Sequence, residues 1–169
     1  MTTKAETLDD LFLEVASAEN FVTTYQYRFR EKYGSILAPS VDAALVQAGL
    51  TIEEQRIREI EKEKASFEDF CSSLDLTRSA KSLAAEEEAI LRNSLMARRQ
   101  NVLDVLAGMS EAERDVVNQT ILIEVQSKTN VIGSLRSPVE RAEADPEGYK
   151  AALERGCSKI GEYTFRERS

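Results

Sequence analysis

Apolar side chains in this chain recur in alternating steps of three and four. Leu8, Leu11, Val15, Ala18, Val22, Tyr25 and Phe29 follow that rule without a break. Such spacing puts every member on one stripe of an α-helix and sustains a heptad seam, whereas a half-buried strand would alternate with period two. Thr7 followed by Asp10 resembles a capping box, with Asp in place of the preferred Glu. Gly34 stands where a left-handed residue ends a helix. A first helix over 8–33 is therefore predicted.

The rest of the chain repeats the pattern with little punctuation. Residues 35–40, with Pro39, read as a loop. Ser40 can cap a short helix of Val41, Ala44, Leu45 and Ala48, closed by Gly49, with Leu50 making the apolar contact that follows such an end. Thr51-Ile52-Glu53-Glu54 reads as a capping box that opens a helix over 52–74, with Ile57, Ile60, Phe67, Cys71 and Leu74 on its stripe. Four serines and a threonine crowd residues 72–82, and a turn is expected near Asp75. One unbroken helix over 52–107 would be about 80 Å long, which is excessive for a globular domain.

A helix over 77–107 carries Leu83, Ile90, Leu91, Leu95, Val102 and Leu106, and Gly108 ends it. Ser110-Glu111-Ala112-Glu113 opens the next, over 111–135. Its stretch 116–132 is rich in β-branched residues and would suit a strand. Helix is expected there, because the opening signal is helical and a lone strand leaves its backbone groups unpaired. Ser137-Pro138 and Asp145-Pro146 start two short helices, the second reaching Arg155, with Gly156 and Gly161 loosening the tail. The expected fold class is all-α: an antiparallel helical bundle of four main helices plus short ones, in a single helical domain over 1–169. Residues 1–6 and 163–169 are expected to be mobile ends.

A hairpin about Asp75 would bring together residues whose numbers sum to about 151. Phe67 would face Ala84, Cys71 would face Ala80, and Ile60 would face Leu91, so large meets small. In that register Lys64 meets Glu87, and the two are expected to form a structural ion pair that sets the alignment.

The chain contains no histidine. That removes Ser-His-Asp and Cys-His catalysis, His-ligated haem, His-containing zinc sites and the Glu-x-x-His motif of di-iron bundles. Phosphate-binding glycine loops and the Gly-x-Ser-x-Gly elbow are absent too. No catalytic, cofactor-binding or metal residue is assigned, and no cofactor is expected. Thirty acidic against twenty-two basic residues give a net charge of −8. This opposes binding to nucleic acid, which needs a positive face, and to anionic membrane surfaces. Two cysteines, Cys71 and Cys157, cannot by themselves build a disulfide framework or a zinc site. Cys71 reads as an inert core thiol, which suits a reducing compartment and a cytoplasmic location. Residues 1–20 do not resemble a signal or transit peptide. The longest uncharged stretch, 43–52, has ten residues, and a spanning helix needs about 20.

Three features could carry function. Glu86-Glu87-Glu88 offers carboxylates, but consecutive helical residues point about 100° apart and cannot converge on one ion. Arg92, Arg98 and Arg99 could receive a phosphate or an acidic segment, although salt bridging is the simpler role. Six of the eleven aromatic residues lie in the first 33 positions: Phe12, Phe21, Tyr25, Tyr27, Phe29 and Tyr33. They make the first helix apolar on more than one side and are the expected protein interface. These readings point to a non-enzymatic helical interaction protein, a subunit or adaptor that self-associates into a homo-oligomer. The rivals are an acidic inhibitor, immunity or antitoxin-type protein that neutralises a basic partner, and a histidine-independent enzyme.

Overall fold

The computed structural model describes residues 7–24, 39–128 and 137–157, with backbone alone over 123–128. All regular structure among the described residues is helical. The elements are α1 (Leu8–Thr23), α2 (Pro39–Ser72), α3 (Ala80–Ala107), α4 (Glu111–Lys128), α5 (Pro138–Ala144) and α6 (Pro146–Cys157). The β-branched stretch 116–132 is helical as far as Lys128.

Helix starts follow local capping chemistry. The Asp10 amide donates to Thr7 Oγ1 at 3.0 Å. Ser110 and Glu113 satisfy each other reciprocally: the Glu113 amide donates to Ser110 Oγ at 3.2 Å and the Ser110 amide to Glu113 Oε1 at 2.9 Å. The Glu140 amide donates to Ser137 Oγ, and the Gly148 amide to Asp145 Oδ1. Each bond satisfies a donor that the first turn leaves without a helical acceptor.

Helix ends depart further from expectation. The helix expected over 8–33 stops at Thr23. Two successive threonines turn their hydroxyls back onto the chain, Thr23 to the Glu19 carbonyl at 2.8 Å and Thr24 to that of Asn20. Such back-bonding weakens helix continuation. Pro39, read as part of a loop, instead begins α2, where its missing N–H is tolerated.

α2 then runs 34 residues through Gly49 and Thr51, where a stop and a fresh start were expected. Thr51 Oγ1 donates to the Gln47 carbonyl within the helix rather than capping a new one. Gly49 is a contact point: a Cβ there would lie 2.6 Å from the carbonyl oxygen of Val22, near the end of α1. The glycine therefore serves close approach, not termination. Gly49→Ala is expected to destabilise the protein by about 1–3 kcal/mol, although alanine inside a helix is ordinarily worth roughly 0.5–1 kcal/mol over glycine. Urea unfolding checks the sign. A gain in stability would mean that α1 yields at little cost.

The turn expected near Asp75 separates α2 from α3. Asp75 Oδ1 accepts from the Thr77 hydroxyl at 2.6 Å and the Thr77 amide at 3.0 Å. These two bonds hold the exposed Asp75 carboxyl below the usual carboxylate range. The Ser82 amide donates to Ser79 Oγ and caps the start of α3.

The chain divides into two compact units, each built from non-contiguous segments. Unit 1 comprises α1, residues 39–58 of α2, residues 95–107 of α3, and α4. Phe21, Leu45, Ile52, Val102, Leu106 and Val117 form its core. Unit 2 comprises residues 59–72 of α2, residues 80–94 of α3, α5 and α6. Phe67, Phe70, Leu83, Ala84, Tyr149 and Leu153 form its core, with the Phe67 and Phe70 rings 5.9 Å apart. Phe67 and Ala84 share that core, and Cys71 packs on the cluster that contains Ala80.

The thiols are not free. Cys71, in the last turn of α2, and Cys157, the last residue of α6, form a disulfide across 86 residues, with Cα atoms 5.3 Å apart. This corrects the expectation of an inert core thiol. The buried face of α6, Tyr149 and Leu153, seats the helix so that its end reaches Cys71.

Candidate functional site

The three consecutive glutamates of α3 find three different sets of partners, as their angular spacing requires. Glu86 pairs with Arg78 at 2.8 Å. Glu88 accepts from the Val139 amide in the first turn of α5 at 3.3 Å and lies 3.8 Å from Arg92. Glu87, only 2% exposed, accepts from the Tyr149 hydroxyl at 2.6 Å through Oε1 and lies 3.8 Å from Arg141 Nη2 through Oε2. The Arg141 guanidinium lies 5.9 Å from the Tyr149 ring centroid. Both oxygens of Glu87 are thus engaged, and the carboxylate ties α3 to α5 and α6. Among the described residues no three His, Cys, Asp or Glu side chains gather as metal ligands would.

The expected Lys64–Glu87 pair is not formed. Lys64 is exposed, and Glu87 is held by Tyr149 and Arg141. The buried line of α2 in unit 2 runs through Glu63, Phe67 and Phe70, and Lys64 lies about 100° round the helix from Glu63. The register brought Phe67 and Ala84 into one cluster but misplaced the stripe by one residue. Tyr149 and Arg141 were missed as partners of Glu87. The four-residue step from Tyr149 to Leu153, which marks a docking face on α6, is the signal that could have found Tyr149.

The arginine cluster is likewise committed to acids of its own unit. In unit 1, Arg98 makes two bonds to Glu19, Nε to Oε2 at 3.0 Å and Nη2 to Oε1 at 2.5 Å. Arg99 Nε lies 3.0 Å from Glu14. Of the expected interface aromatics, Phe21 is fully buried in unit 1 and Phe12 is half-buried. Phe21 is therefore a core residue and not an interface anchor. Tyr25, Tyr27, Phe29 and Tyr33 lie outside the described residues.

The large apolar side chains that stand exposed among the described residues are Leu50 and Ile57 on α2, Met96 and Leu103 on α3, and Val116 and Leu122 on α4. All six belong to unit 1. Leu50 and Ile57, 61% and 48% exposed, are seven residues apart and share a face. That face points away from the buried line of Leu45, Ala48 and Ile52. Met96 and Leu103 repeat the same seven-residue step on α3.

No described helix is long and apolar enough to cross a membrane. The chain matches no protein-family model, no curated protein and no solved structure.

Proposed function

We propose that this chain is a non-enzymatic helical interaction protein, a subunit or adaptor whose unit 1 associates with a second copy through the outer face of α2. The observation that carries this reading is the Leu50/Ile57 stripe, exposed on a helix whose opposite face is already buried. Exposed apolar surface arranged in a line, not scattered, marks a contact face. A two-fold antiparallel pairing would set Leu50 of each copy against Ile57 of the other, with Glu53, already paired with Arg56, against Glu54 at the centre. The pairing of the arginines and the α3 glutamates with groups of their own units supports the same reading, since those charges already serve the fold. The disulfide removes the free-thiol argument on which a reducing compartment was expected.

Light scattering on the intact chain at low and high salt tests the reading. A mass of at least two chains at both salts is expected, because apolar contact is not screened. Leu50→Glu with Ile57→Glu should return a monomer with unchanged helical circular dichroism. A wild-type monomer at both salts would exclude self-association. Assembly lost only at high salt would point to charge pairing instead.

A further inference from the structure

The two cysteines of this chain meet only in the folded protein. Cys71 lies in the last turn of α2 and Cys157 ends α6, 86 residues apart in sequence, yet their Cα atoms are 5.3 Å apart. The end of α6 is docked by contacts other than the bond. Tyr149 donates to Glu87, Lys150 Nζ donates to the Leu76 carbonyl at 3.0 Å, and Leu153 is buried. Beyond Leu153, Glu154 and Arg155 have partners, Gly156 is buried, and Cys157 packs against the core cluster of unit 2. Cys71 packs against the same cluster. Non-covalent packing therefore keeps the two sulfur positions side by side. Fold and crosslink are linked: the free energy by which the bond favours folding is the free energy by which folding favours the bond. For a loop closed across 86 residues, that coupling shifts the balance between closed bond and open thiols by roughly a thousandfold. Both cysteines of the chain are used, and neither is free.

We propose that the disulfide-bonded chain is the native form and that it matures in an oxidising compartment, where an organic disulfide acts as donor and installs the bond once α6 has docked in unit 2. The thiolate of one cysteine attacks a sulfur of the donor, whose S–S bond breaks, leaving a mixed disulfide. The thiolate of the other cysteine then attacks the protein sulfur, the Cys71–Cys157 bond forms, and the donor leaves reduced. The two protein thiols give up two electrons and two protons, and the donor takes both. Bonds of this kind persist in oxidising surroundings and are rare where glutathione and thioredoxin-type dithiols keep thiols reduced. The bond lies within unit 2 and does not depend on the apolar faces of unit 1.

Two measurements on the intact chain test this. In the first, the chain is equilibrated with mixtures of reduced and oxidised glutathione, quenched in acid, alkylated and weighed by mass spectrometry. In buffer the bond is expected to withstand a reducing ratio about a thousandfold higher than in concentrated urea. In the second, the cells that make the protein are quenched and alkylated in the same way, and the chain is expected to carry no alkylated cysteine. Either of two results would overturn the proposal. A difference between buffer and urea below about tenfold would mean that the fold does not hold the thiols together. Two alkylated cysteines on the cellular chain would mean that it matures and works in the reduced form.

Discussion

Arg98→Ala is expected to lower the unfolding free energy by about 3–5 kcal/mol, the range seen when one partner of a buried ion pair is removed. Glu19 is 3% exposed, and its two oxygens are met by two guanidinium nitrogens of Arg98. Truncating the arginine leaves a carboxylate in the interior of unit 1 with neither water nor a counter-charge. That cost belongs to the orphaned charge more than to the lost attraction. Replacing both members together, Glu19→Met with Arg98→Leu, should therefore recover most of the stability, since a well-packed apolar pair of similar volume is often neutral or better. Urea unfolding of the three variants measures it. A loss below about 1 kcal/mol for Arg98→Ala would place the pair in the solvent-screened class.

Reduction of the Cys71–Cys157 bond is the second large effect. Its 86-residue separation closes a loop for which the chain-entropy model gives about 4–5 kcal/mol, through restriction of the unfolded chain. For a chain of this size that corresponds to a fall in Tm of roughly 8–20 °C. Scanning calorimetry with and without dithiothreitol reads it directly, and Cys157→Ser should match the reduced wild type and ignore the reagent. An unchanged Tm would mean that the bond constrains nothing in the unfolded ensemble.

The functional surface was the least legible part of the sequence. Phe21 and Leu50 show why. Phe21 lies off the heptad stripe of α1 and so looked like an outward anchor, yet it is fully enclosed by unit 1. Leu50 looked like the apolar partner of a helix end at Gly49, yet it is 61% exposed because α2 does not end there. In both cases a residue's own helix says which way it points, while a second helix decides whether anything covers it.

Local order, by contrast, was set by the sequence alone. The starts of α1, α4, α5 and α6 depend on hydrogen bonds between residues three apart: Thr7 with Asp10, Ser110 with Glu113, Ser137 with Glu140, Asp145 with Gly148. Nothing distant is needed to close them, so the all-helical character and those boundaries follow from short-range spacing. Tertiary structure decided the rest: that Gly49 admits the end of α1, that Glu63 and not Lys64 turns inward, and which charges and thiols meet. Arg98 and Glu19 are 79 residues apart, Tyr149 and Glu87 are 62 apart, and Cys157 and Cys71 are 86 apart. Helical spacing determines which side chains share a face. Which faces meet depends on shape and volume across the packed core, where a difference of one residue rotates a side chain by about 100° and exchanges a buried position for an exposed one.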